Sequence, residues 1–278
     1  MYRNILVNIP TERPPQPVID GAISLATRCQ AQLDAVSFGY ESASMPLIAE
    51  GGAAVAAILE VEREKALERA RAALALFEAE AKRAGLASSS RAISGLQGEA
   101  AAILGATARL YDLTIVEQPE FARDTFDNTL AQEILFQSGG PVLYMPYTFK
   151  GAFHARRVGI CWDGSRLAGR AVRDAMPLLE QAEAITIITI NAESSVPADA
   201  SSAHLVRYLA RLGVPTEIER LKTETANIQS SILSLASDES LDLLVMGGYG
   251  HSRLRETVFG GVTRDMLESM TVPTLMSH

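Results

Sequence analysis

The sequence predicts an α/β protein built as two tandem doubly wound, Rossmann-like domains, each with a mostly parallel five-stranded sheet flanked by helices. Three observations carry that expectation. Short apolar strands recur in the same order in the two halves, and the segments between them have a helical period. The strands are also continuous apolar runs, such as Ile185-Thr186-Ile187-Ile188-Thr189-Ile190. Continuous rather than alternating runs are what a parallel sheet covered on both faces requires. The first domain is expected over 1–148 and the second over 155–278, joined by a polar, glycine-containing linker near 146–154.

The elements follow in order. The first strand, Asn4-Ile5-Leu6-Val7-Asn8-Ile9, has its counterpart in Arg157-Val158-Gly159-Ile160-Cys161-Trp162. A long helix is expected over 53–83, rich in Ala, Leu, Glu, Lys and Arg, and closed by Gly85. A second amphipathic segment covers 98–111. A strand opening on Asp112-Leu113 then matches one opening on Asp242-Leu243, and each half closes on a Pro-led strand at Pro141 or Pro273. In the second half, helical segments are expected over 166–179, 203–212 and 225–237. Three strand pairs in one order indicate a repeat, the second copy being shorter in its middle.

Composition limits the function classes. Hydrophobic residues make up 47% of the 278, enough for a core in each half without disulfides or metals. Aromatic residues at 6% and a net charge of −8 argue against nucleic acid as a partner. The mixed charges over 60–71 read as a solvated helix face. No apolar run reaches the roughly 18 residues that span a bilayer, and the N-terminus lacks a signal peptide's apolar core. Cys29 and Cys161 stand at no metal or redox spacing and read as reduced core residues. A cytoplasmic protein with no membrane partner is expected.

The stretch that carries chemistry runs from Val245-Met246 through Gly247-Gly248-Tyr249-Gly250 to Gly260-Gly261, which opens a helix over 262–270. Ligands of open α/β sheets bind at the carboxyl ends of strands. Glycines there let backbone N–H groups approach an anion, and a helix start adds unpaired N–H groups and positive dipole. Taken alone, the cluster fits tight turns as well as a ligand site. It is neither the Rossmann nor the Walker A pattern.

The spacing G-x2-G-x9-G formed by Gly247, Gly250 and Gly260 resembles the nucleotide-binding signature of the universal stress protein family. The run Asp242-Leu243-Leu244-Val245-Met246 before it, Val262-Thr263 after it and the closing strand at Val272-Pro273 match as well. The resemblance implies ATP or another adenine nucleotide, with Mg²⁺ as an optional companion. It implies that Asp163 helps hold the adenosine and that the backbone at Ile190 meets the adenine. Asp163 reads equally as the N-cap of the helix starting near Arg166, a role open to Ser165 too. Binding members carry Ser or Thr where this chain has Gly261. The N–H survives and the hydroxyl is lost, a hydrogen bond of about 0.5–1.5 kcal/mol and about tenfold in affinity. Trp162 either stacks on adenine or fills the pocket. His251 stands where a phosphate would lie, while Arg253 and Arg255 either reach phosphates or pair with Glu256.

The first half lacks the loop. Its equivalent, Glu117-Gln118-Pro119-Glu120-Phe121-Ala122-Arg123-Asp124, has no glycine, and its carboxylates would repel phosphate. A structural partner is expected there. No Ser–His–Asp or metal-ligand spacing appears, so no catalytic residue and no metal site is assigned, and any ATP hydrolysis should be slow. Three readings follow: a nucleotide-binding stress-response sensor, a nucleotide-free interaction module, and an adenylate-forming enzyme. The two halves are expected to pack as a pseudo-dimer through the strands at 141–145 and 272–276, with a homodimer of whole chains also open.

Overall fold

The computed structural model describes residues 1–41, 52–191, 196–249 and 261–278, with side chains from residue 55 onward in the second stretch. The first half contains β1 (Asn4–Asn8), α1 (Gln16–Cys29), β2 (Gln32–Tyr40), α2 (Gly52–Arg83), β3 (Ser88–Gly95), α3 (Gln97–Ala108), β4 (Leu113–Glu117), α4 (Phe126–Gln137) and β5 (Val142–Met145). The second contains β6 (Arg157–Cys161), α5 (Arg166–Asp174), α6 (Met176–Leu179), β7 (Ala184–Ile190), α7 (Ser202–Leu209), β8 (Thr216–Leu221), α8 (Ile228–Asp238), β9 (Leu243–Gly247), α9 (Val262–Ser269) and β10 (Thr274–Ser277).

The ten strands form one sheet in the order β3-β2-β1-β4-β5-β10-β9-β6-β7-β8. Within each half every pairing is parallel, and the order is the same doubly wound one. Among the described residues the one antiparallel pairing joins the halves, with Leu143 opposite Leu275 and Tyr144 opposite Thr274. The sequence leads to a five-stranded sheet in each half, with these strands as the edges in contact. The closing strands complete each other, so neither is left with an unpaired edge.

The repeated Asp-Leu has a physical cause. The Asp112 carboxylate accepts the backbone N–H groups of Arg3 and Asn4 at 2.7 and 2.9 Å. Asp242 does the same for Arg156 and Arg157 at 3.0 and 3.1 Å. Each aspartate thus ties the start of its fourth strand to the start of the first, fixing register where the sheet reverses its winding.

Helices cover both faces. One core layer packs Val18, Leu25, Phe77, Val172 and Leu205 of α1, α2, α5 and α7 against the sheet. The other uses Leu104, Leu130, Ile232 and Met266 of α3, α4, α8 and α9. In α2 the buried positions Ala66, Ala70, Leu74, Phe77 and Ala81 make one stripe. Its other side is solvated and carries pairs such as Lys65–Glu62. A Cβ at Gly39 would overlap the Ala66 carbonyl, so β2 and α2 meet through bare backbone.

Three segments depart from the sequence expectation. The helix over 166–179 divides at Ala175 into α5 and α6, with Pro177 in the first turn of α6, where its missing N–H does no harm. Segments 203–212 and 225–237 each include a 3₁₀ turn, the former closed by Gly213 at φ 70°. The linker is not a loose spacer. Phe153 is fully buried, and its N–H donates to Ser24 Oγ at 2.8 Å.

Candidate functional site

In the second half β6 and β9 are neighbours, while their crossovers lead to opposite sides. A crevice opens at the carboxyl ends of such a strand pair. Asp163 and Gly247 stand at its two sides.

From β6 the chain turns through Trp162, Asp163 and Gly164. Gly164 has φ 72°, and a Cβ there would press to 2.7 Å of Val196. The Asp163 carboxylate accepts the Ser165 N–H at 2.9 Å, while Ser165 Oγ caps α5 by accepting the Ala168 N–H at 3.1 Å. Ser165 is therefore the N-cap, and Asp163 holds the turn before it with one oxygen and remains exposed. The Trp162 indole N–H donates to the Ala200 carbonyl at 2.8 Å, on the α5–α7 side. Cys161 is driven up to about 12 by burial, with Asp163 adding to the rise, which leaves an inert thiol.

Ile190, half-buried, ends β7. Asn191 follows in the left-handed region at φ 51°. Its side chain donates to the Thr223 carbonyl at 2.7 Å and accepts the Thr223 N–H at 3.2 Å, locking the ends of β7 and β8 together. Sequence reasoning missed Asn191. An asparagine directly after an apolar strand, a residue type that tolerates the left-handed region, was the available signal.

On the other side, a Cβ at Gly247 would come within 2.8 Å of the Ala168 nitrogen and the Leu167 carbonyl carbon. Gly247 thus lets the start of α5 and the end of β9 touch. Tyr249 adopts φ 55°, and its N–H donates to Thr263 Oγ1 at 3.0 Å. That bond joins the strand end to the first turn of α9. Gly261 is the N-cap of α9, extended at φ −92°, and supplies no side chain to its first-turn N–H groups. Gly250, His251, Arg253, Arg255 and Gly260 lie outside the described residues.

The turn rests on the first half of the chain. The Phe136 ring of α4 lies 4.7 Å from the Tyr249 ring and 4.8 Å from the His278 ring. His278 Nδ1 is 3.1 Å from the Gly248 carbonyl, and Arg170 donates to the His278 carbonyl at 2.7 Å and to the Gly139 carbonyl. No local pattern marked His278, because each of its contacts spans a long stretch of chain.

The corresponding crevice of the first half, between β1 and β4, is filled by the protein itself. Arg13 is buried, 3.3 Å from Glu117, and donates to the Gln118 carbonyl at 2.6 Å. Burial pushes Glu117 up to about 7, against the opposing pull of Arg13. Asp127, also raised by burial, accepts the N–H groups of Thr11 and Glu12 at 3.1 and 3.0 Å and the Tyr40 hydroxyl at 3.0 Å. Glu12 in return accepts the Phe126 N–H at 2.6 Å. Glu117 is thus not an open carboxylate facing solvent. It closes the crevice together with Arg13. Glu120 pairs at 3.2 Å with the mostly exposed Arg123.

Among the described residues no group of three His, Cys, Asp or Glu side chains could hold a metal ion, and no helix is long and apolar enough to cross a membrane.

Fold and crevice together define a doubly wound α/β protein with a glycine turn at the switch point of its second half. Residues 154–278 match the family model described as the universal stress protein family. Through that half the chain is similar to the universal stress protein family. It is 29% identical over 143 residues to the universal stress protein Slr1230 of Synechocystis, a match that spans 49% of this chain and about half, 46%, of that relative. Across its whole length it shares a fold with a universal stress protein of Archaeoglobus fulgidus, at TM-score 0.72 and 13% identity, covering 98% of this chain and 97% of that one. A putative universal stress protein of Pseudomonas aeruginosa aligns at TM-score 0.54 and 15% identity, covering 99% and 93%.

Proposed function

We propose that the protein binds an adenine nucleotide, ATP foremost, in the crevice between β6 and β9, and acts in the cytoplasmic stress response through the bound state. The observation that supports this most is the Tyr249–Thr263 bond. It brings the Gly247-Gly248 turn and the uncapped start of α9 to one place, where N–H groups and helix dipole favour phosphate. Asp163 keeps a carboxylate oxygen for a ribose hydroxyl, and the Ile190 backbone stands beside the adenine position. Mg²⁺ would be held by the phosphates with Asp163 at most. The reading is of binding rather than turnover, as the sequence carries no Ser–His–Asp spacing.

In this reading the halves are a pseudo-dimer within one chain, and the first keeps its fold while its crevice is closed by Arg13 and Glu117. Isothermal titration with ATP tests it. Heat of binding is expected for the parent, and Gly250→Val should abolish it without loss of fold. No heat and no melting shift at about millimolar ATP would favour an interaction module of the same fold.

A further inference from the structure

A cleft of about 330 Å³ lies on the α5–α7 side of the second half. That volume is in the range of small-molecule sites. Trp162 forms one wall, and its bond to the Ala200 carbonyl fixes the indole plane. Val172, Leu205 and the exposed ring of Tyr208 complete an apolar lining.

Gly169 lies against the cleft in the middle of α5, where glycine is disfavoured relative to alanine. Nothing in the packing demands it. A Cβ there would meet only Arg173 Nη1 at 3.6 Å and the Trp162 ring at 4.0 Å, both ordinary contacts with cleft residues. Gly247 differs, since a Cβ there would strike backbone at 2.8 Å. What the missing side chain at position 169 leaves open is the cleft itself.

The polar groups are unequal in sign. Arg173 is exposed and has no ion pair among the described residues. His204 Nδ1 lies 3.1 Å from both Ser201 Oγ and the Ala198 carbonyl, which leaves Nε2 as the nitrogen for a ligand. Asp199 is the one carboxylate of the lining, in an exposed 3₁₀ turn. We infer that this cleft binds a small molecule with an aromatic-sized apolar body and one anionic group. The body lies against Trp162 and the anion meets Arg173. This site is independent of nucleotide binding.

Trp162 is the only tryptophan of the chain, so its fluorescence reads the cleft directly. Phenylacetate is the probe, with neutral phenylacetamide and cationic phenethylamine as partners of the same body. A saturable change at about millimolar phenylacetate is expected, as suits a ligand of that size. Phenylacetamide, and phenylacetate on Arg173→Gln, should bind about tenfold more weakly for want of one charge-assisted contact. Gly169→Leu should remove the response with an unchanged circular dichroism spectrum, and Gly169→Ala should weaken it should the larger variant not fold. The inference is overturned by no saturable change at about 50 mM phenylacetate. An equal response to phenethylamine, an undiminished one in both Gly169 variants, or displacement by ATP would overturn it as well.

Discussion

At the end of β4 the Glu117 carboxylate is buried 3.3 Å from Arg13, and burial outweighs that neighbour, so its pKa rises from 4.5 to about 7. The native state then holds the proton more tightly than the unfolded chain does. Its contribution to stability is present at low pH and is lost as pH rises from about 4.5 to about 7. Glu117→Gln does not titrate. The melting temperature of that variant relative to the parent should therefore rise between about pH 5 and pH 8, whatever offset the unpaired Arg13 adds. A pH-independent difference would mean that Glu117 stays ionised throughout. Across the molecule, Asp163 and Ser165 divide the work of their turn. Ser165→Ala removes the cap of α5 and should cost about 1 kcal/mol in denaturant unfolding. Asp163→Asn keeps the acceptor oxygen and should change stability by less than about 0.5 kcal/mol. Equal costs would show that the aspartate carries the cap.

Among elements, the glycine turn depends on α4. Tyr249 holds a left-handed backbone that non-glycine residues seldom adopt, with Phe136 packed on its ring and Thr263 on its N–H. Phe136→Ala should speed amide hydrogen exchange at Gly248 and Tyr249 while leaving β1 and β2 as protected as before. Unchanged exchange would mean that Thr263 alone holds the turn. The strands legible in the sequence, β1, β4, β5, β6, β7, β9 and β10, are short apolar runs with buried centres. The edge strand β3 reads Ser-Ser-Ser-Arg-Ala-Ile-Ser-Gly and is largely exposed, so it carries no apolar signal. Helix α1 has a sound stripe in Val18, Ile19, Ala22, Leu25 and Ala26, but Pro17 and Gly21 punctuate it like breakers. Pro17 stands in the first turn, where it is tolerated, and Gly21 makes room for Met145. At the candidate site Gly247 was legible because a Cβ there would strike the start of α5. The buried Arg13–Glu117 pair was not, because two charges far apart in sequence give no hint that they will meet.

Over the whole molecule, the β5–β10 seam makes one sheet of ten strands, and each of the two core layers contains side chains from both halves. Leu143, Tyr144, Leu275 and Met276 are fully buried along that seam. Calorimetry should accordingly show one cooperative unfolding transition for the chain, since neither half can unfold without exposing the other's core. Two well-separated transitions would show that the seam is weak. The two halves share a strand order and differ in their crevices. The first is closed by Arg13 and Glu117, and the second has a glycine turn stitched to a bare helix start. The stoichiometry of ATP binding by isothermal titration tests that asymmetry most directly. One nucleotide per chain is expected, lost in Gly250→Val and retained in Glu117→Gln. No binding at all, or two nucleotides per chain, would contradict it.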